Sequence, residues 1–249
     1  MKKIVFVALA FIALETIGQT PINKTYPVSG LQVIDLHFDY PELIKISSWD
    51  KNEIAITGTV EINGGENDDA FKLENSVTGN TLFIRGTVPN VKNLPHRIPV
   101  YKNGKEGGKM TFKTKADFEK YKKETGESFN ITNWGNDMDI VLEIKIPVNM
   151  QANIKSVYGT VELKNLSQSK PLVAKSTYGG VDVAINTSAV GELWASSDYG
   201  EIYSNLGLKF SGEGLKQGDF HKEISAKPGS GPKFSFESKY GNVYMRKAN

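Results

Sequence analysis

Ser156-Val157-Tyr158-Gly159, Ser176-Thr177-Tyr178-Gly179, Ser197-Asp198-Tyr199-Gly200 and Ser238-Lys239-Tyr240-Gly241 align without gaps. Their tyrosines are 20, 21 and 41 residues apart. The last interval is two periods, which predicts a decayed copy around Gly218-Asp219-Phe220. A fixed period near twenty is the signature of stacked rungs. The match runs beyond the motif. Four residues before each Tyr stand Ile154, Ala174, Ala195 and Phe236, and three after it stand Val161, Val181, Ile202 and Val243.

Strand side chains alternate between faces, so the columns can be sorted. The apolar column, the Ser column and the Tyr column fall on one parity and are expected inside. Lys155, Lys175, Ser196 and Glu237, with Val157, Thr177, Asp198 and Lys239, fall on the other and are expected outside. On this reading Ser156, Ser176, Ser197 and Ser238 form one ladder and Tyr158, Tyr178, Tyr199 and Tyr240 a second, buried one. Gly159, Gly179, Gly200 and Gly241 line a corner, where positive φ would favour glycine. Truncating a buried Tyr178 to Ala would then cost about 3–5 kcal/mol.

Upstream, period-two alternation dominates. Ile34, Leu36 and Phe38 alternate with Asp35 and His37, and Ile140, Leu142, Ile144 and Ile146 with Val141, Glu143 and Lys145. Asp39-Tyr40-Pro41, Asp50-Lys51-Asn52, Asn63-Gly64-Gly65 and Thr78-Gly79-Asn80 supply turn chemistry between strands. Residues 90–137 break the pattern and read as an insertion. Within it Lys115–Glu124 predicts a short helix, with Phe118 and Tyr121 on one face and Gly126 as its stop. The fold class is therefore all-β. A C-terminal single-coil β-solenoid over 151–249 is preceded by a β-rich region over 19–150 with one short helical insertion.

The N-terminus reads as an export signal. Lys2 and Lys3 precede an apolar run from Ile4 to Leu14, and small residues at Thr16 and Gly18 place cleavage between Gly18 and Gln19. Residues 1–18 are thus a signal peptide. The run is too short to span a bilayer, which takes about 20 residues, and no second run of that length follows. With no cysteine among its 249 residues, the chain has neither a lipidation site nor disulfides. The expected location is the periplasm or cell surface, without a lipid anchor or a transmembrane segment in the mature chain.

Charge excludes one partner class. Thirty Lys and Arg stand against 28 Asp and Glu, and removing Lys2, Lys3 and Glu15 lowers the excess from two to one. Nucleic acid needs a clustered basic face. The one basic run, Lys113–Lys123, is interleaved with Asp117 and Glu119.

Ser-x-Tyr-Gly followed by Thr160-Val161, Gly180-Val181, Glu201-Ile202 and Asn242-Val243 resembles the rungs of the exported "putative adhesin" β-solenoid family of bacterial envelope proteins, a domain of unknown function. That family's rung carries a small residue before Gly and an acidic or amide residue after it. Here Tyr replaces the small residue, and Glu201 and Asn242 match the second position. The resemblance covers roughly residues 150–247, and Tyr40 through Ile62 is similar to the region preceding such rungs. It implies an envelope role and no catalytic residues.

Direct inspection also yields no catalytic set. His37, His96 and His221 lack metal-ligand spacing, and no nucleophile elbow or phosphate loop is present. Glu66-Asn67-Asp68-Asp69 and Asn136-Asp137 with Asp139 read as solvated turns, against a calcium alternative. No cofactor is called for. Glu162 and Asp182 fall one rung apart, the first residues to test for a polysaccharide-acting enzyme, with Lys164 or Lys155 expected to neutralise them. Tyr203 and Tyr244 point outward by parity and are the candidate binding residues, for an envelope glycan or protein. The expected function is non-enzymatic binding, adhesion or scaffolding in the envelope. The alternatives are a glycan-acting enzyme and an envelope sensor that reports to a membrane partner.

Overall fold

The computed structural model describes residues 19–102, 109–131, 135–210 and 220–248, so the expected signal peptide lies outside the described residues. In chain order the strands are β1 (Thr20–Pro27), β2 (Val33–Phe38), β3 (Leu43–Trp49), β4 (Glu53–Ile62), β5 (Lys72–Thr78), β6 (Thr81–Thr87), β7 (Ile98–Lys102) and β8 (Lys109–Phe112). Helix α1 (Lys115–Thr125) follows, then β9 (Phe129–Ile131), β10 (Met138–Pro147), β11 (Gln151–Ser156), β12 (Thr160–Leu163), β13 (Leu172–Ser176) and β14 (Val181–Ile185). The chain ends with β15 (Glu192–Ser197), β16 (Ile202–Ser204), β17 (Lys222–Ala226), β18 (Lys233–Ser238) and β19 (Val243–Lys247). The all-β expectation holds at this level, with α1 as the α-helix of the described residues.

Two eight-stranded sheets, each mixing parallel and antiparallel pairs, carry most of the chain. One runs β1-β4-β10-β3-β12-β14-β19-β16 and the other β17-β15-β18-β13-β11-β2-β6-β5. Each Ser-x-Tyr-Gly segment joins a strand of the second sheet to one of the first: β11 to β12, β13 to β14, β15 to β16 and β18 to β19. The copies pair in parallel and in register. Ile154 faces Ala174, Ala174 faces Phe236, and Phe236 faces Ala195.

The stacking order differs from the chain order. β18 and β19, the last copy in sequence, lie between the β13/β14 and β15/β16 copies. A decayed copy inside the 41-residue interval is therefore not what separates Tyr199 from Tyr240; the two are neighbours. Gly218 and Asp219 lie outside the described residues, while Phe220 leads into β17, which pairs antiparallel with β15 at the sheet's end. Spacing identifies what a rung contains, but backbone pairing decides where it stacks.

Both sheets also continue across residue 150. β2 pairs with β11 and β3 with β12. Phe38 sits opposite Ser156 and Gly86 opposite Phe38, and a Cβ on Gly86 would lie 2.5 Å from the Phe38 ring. Phe38-Asp39-Tyr40-Pro41 thus takes the place of Ser-x-Tyr-Gly in the preceding layer.

Alternation explains the core. β2 buries Ile34, Leu36 and Phe38, β10 buries Ile140, Leu142, Ile144 and Ile146, and one apolar cluster continues to Phe236 and Met245. Each such side chain contributes about 1.5–3 kcal/mol of transfer energy. The described residues of 90–137 include β7, β8, β9 and α1, which surround a smaller cluster of Ile98, Val100 and Phe118. Thr114 caps α1 by accepting the Asp117 N–H at 3.1 Å, and Gly126 ends it with φ 65°. Buried Arg97 joins this unit to the main sheets through Glu66, at 2.6 Å.

Candidate binding surface: an exposed tyrosine ladder

The corner is built by serine. The Oγ atoms of Ser156, Ser197 and Ser238 accept the N–H of Gly159, Gly200 and Gly241 at 3.0, 2.9 and 2.9 Å. The hydroxyls of Ser176, Ser238 and Ser197 donate to the carbonyls of Gly159, Gly179 and Gly241, one rung away, at 2.9, 2.8 and 2.9 Å. All four serines are buried, as expected. Their hydroxyls satisfy backbone groups that a corner would otherwise leave unpaired.

Glycine is needed here for a different reason than expected. None of Gly159, Gly179, Gly200 and Gly241 is among the positive-φ residues. A Cβ would instead meet a neighbouring carbonyl oxygen: Pro41 at 2.0 Å, Gly159 at 2.3 Å, Gly241 at 2.1 Å and Gly179 at 2.4 Å respectively. The corner glycines let stacked backbones touch.

The tyrosines point the other way from their expected side. Tyr158, Tyr178, Tyr199 and Tyr240 are 54, 53, 56 and 43% exposed. Parity fails because the strand ends at the serine, and the next two residues belong to a bend. Backbone pairing nevertheless continues through the bend. The N–H groups of Tyr158, Tyr178, Tyr240 and Tyr199 donate to Asp39, Val157, Thr177 and Lys239. That pairing holds the rings in step. The order is Tyr40, Tyr158, Tyr178, Tyr240, Tyr199, with centroid distances of 5.6, 5.1, 5.1 and 4.9 Å and planes within 14° of parallel. Neighbours cover the ring faces, so the exposed part is the ring edge and hydroxyl. Of the outward columns, Ser196 departs from expectation and is buried.

The ladder's two ends resemble each other. Asp39, beside Tyr40, lies 3.2 Å from His37 Nε2, and Asp198, beside Tyr199, lies 2.8 Å from His221 Nδ1. Asp198 raises the His221 pKa above its ordinary value, and Glu223 adds to this. Phe220 tilts against Tyr199 at 5.6 Å. Burial, then the neighbouring Tyr158 and Asp39, raise the Tyr40 phenol above its usual range. Lys239 Nζ lies 5.4 Å from the Tyr240 ring centre. Sequence reasoning missed Tyr40, because Phe38 and Pro41 replace the Ser and Gly that mark the other corners.

Tyr203 and Tyr244 do meet. They stack at 5.1 Å, four residues past Tyr199 and Tyr240 in the same rungs. Tyr203 is 50% exposed, while Tyr244 is half-buried beneath Arg246 and accepts a hydrogen bond from Asn242 Nδ2 at 2.9 Å. This is a two-ring patch beside a five-ring strip. Glu162 and Asp182 are register partners, each held by its own cation. Lys164 lies 2.5 Å from Glu162, and Arg246 Nε donates to both Asp182 oxygens at 2.8 and 3.1 Å. The bond to Glu162 raises the Lys164 pKa.

The acidic turns are also engaged. Asp68 accepts the N–H groups of Ile62 and Thr20, and Asp137 accepts the Thr111 hydroxyl. Lys113 and then Arg97 hold Glu66 below the ordinary carboxylate range. Among the described residues no group of three or more His, Asp or Glu could hold a metal ion. No helix among them is long and apolar enough to cross a membrane.

No protein-family model matches the chain, and no curated protein matches it. Two solved structures align with most of it. A "putative cell adhesion protein" from Clostridium sporogenes has 12% identity and a TM-score of 0.48, covering 92% of this chain and 100% of that one. A "putative adhesin" from Bacteroides fragilis has 13% identity and a TM-score of 0.21, covering 92% of this chain and 97% of that one.

Proposed function

We propose that this chain is an exported, non-enzymatic cell-envelope module: a β-solenoid whose exposed tyrosine ladder is its binding face. The observation that carries the reading is the five-ring strip, with four rings about half exposed. An ordinary surface scatters its aromatics singly, and a contiguous strip marks a contact surface. The solenoid reading is supported by four in-register copies that pass alternately between two sheets. Export is supported by the basic and apolar N-terminal pattern, and the first strand begins at Thr20, just past the expected cleavage point.

The non-enzymatic reading is supported by the ion pairs on Glu162 and Asp182, because a nucleophile or general base needs a free carboxylate and an oriented partner. The partner class is an envelope glycan or an envelope protein. The test is retention of the mature chain by envelope extract of the producing cell. The double variant Tyr178→Ala, Tyr240→Ala should lose retention while keeping its circular dichroism and a cooperative melting transition, lowered by several degrees. Full retention by that folded variant would remove the ladder as the binding face.

A further inference from the structure

The tyrosine ladder has a fixed step. Its rings ride on paired backbone, and neighbouring strands lie about 4.8 Å apart. Three successive ring steps measure 5.1, 5.1 and 4.9 Å. A ligand lying along the strip therefore meets the same group again and again, at a spacing the protein cannot adjust.

Extended polymers differ in how they fit such a step. A β-strand peptide advances about 3.3 Å per residue, or about 6.6 Å between side chains on one face. It falls out of phase with the rings within a few steps. A polyanion needs lysine and arginine along its path. The residues flanking the ladder are instead Asp39, Glu42, Asp198 and Glu201, with Lys239 over Tyr240 and Lys222 paired to Glu201. An extended β-1,4-linked pyranose chain advances by close to one ring step per sugar, and when built from neutral sugars it carries no charge.

The chemistry of the strip also suits that polymer. Stacking takes up the ring faces, so each tyrosine offers an edge and a hydroxyl, which both donates and accepts. Sugar hydroxyls are donors and acceptors of the same kind, so each sugar can exchange hydrogen bonds with the tyrosine hydroxyl beneath it while resting on the ring edge in van der Waals contact. Thr177 on one shoulder and Thr160 on the other add polar groups in the same layers. We propose that the ladder takes an uncharged, extended β-1,4-linked glycan laid along the stack, one sugar per tyrosine. This rests on the ladder being the binding face.

The probes are cello-oligosaccharides and fully N-acetylated chito-oligosaccharides of two to eight sugars, with maltohexaose as the bent α-linked control, titrated calorimetrically into the mature chain. Affinity for the β-linked series should rise with length and level off near five sugars, the number of rings. Maltohexaose should bind at least tenfold more weakly than cellohexaose. Tyr178→Ala should weaken cellohexaose about three- to tenfold, Tyr178→Phe should weaken it less, and Tyr203→Ala should leave it unchanged. The length series uses the unaltered chain, so it stands even if Tyr178→Ala fails to fold. A plateau at two sugars, equal binding of maltohexaose, or no binding of any β-linked probe would overturn the proposal. If the probes fail while the double ladder variant still loses envelope retention, the glycan class is wrong and the binding face stands.

Discussion

Tyr178 and Tyr240 lie 5.1 Å apart with ring planes 6° from parallel, although 62 residues separate them in the chain. Their contact comes from the last rung entering the stack beside β13 rather than following β16. Each ring is supported on both faces and wet at its edge. Tyr178→Ala should therefore cost about 1–2 kcal/mol, the loss of two offset stacks, and not the 3–5 kcal/mol of a buried aromatic. Urea denaturation of the mature chain checks the value.

Ser238 gives a test of the corner. Its hydroxyl donates to Gly179 and accepts from Gly241. Ser238→Ala leaves two part-buried backbone groups without this partner and should cost about 1–3 kcal/mol. Gly179→Ala should cost about 3 kcal/mol or more by forcing apart two backbones. Gly79, with φ 59° and open space around it, separates the two roles of glycine. Gly79→Ala should cost only about 1–2 kcal/mol through backbone conformation.

Much of this was legible in the residues. The column Ile154, Ala174, Ala195, Phe236 and the serine column are buried as alternation implies, because both lie inside strands. The helix with Phe118 inward and Gly126 as its stop also follows from local chemistry. Tyrosine direction was not legible, since period-two parity has no force beyond Ser156, where the strand ends. The rung order was not legible either. Pairing β18 with both β13 and β15 is a long-range choice that a repeat spacing does not encode. Tyr40 was hidden by Phe38, which is accommodated by the absent side chain of Gly86.

His221 carries a pH prediction. Its pKa is raised above 6.5 by Asp198 first and Glu223 second. The charged form is favoured in the folded chain, so the associated stability is fully present below about pH 6.5 and is lost as pH rises through the higher folded value. An NMR titration should place the His221 midpoint above 6.5 and show it falling in Asp198→Asn. The stability effect should be small, because the group is more than half exposed.

Glu162 and Asp182 test the non-enzymatic reading. The variant Glu162→Gln, Asp182→Asn removes two surface ion pairs and should change stability by less than about 1–2 kcal/mol. It should leave envelope retention intact. Any glycan-cleaving activity of the native chain that disappears in this folded variant would favour the enzyme instead.

The most direct test is a tyrosine nitration footprint, read by mass spectrometry, of the mature chain free and bound to envelope extract. Tyr158, Tyr178 and Tyr240 should nitrate readily in the free folded chain, because their edges face solvent. All three should become protected when the chain is bound, while Tyr26, on β1 and away from the ladder, keeps the same reactivity in both states. Protection of the three tyrosines already in the free chain would contradict their outward placement, and unchanged reactivity in the bound chain would contradict the ladder as the binding face.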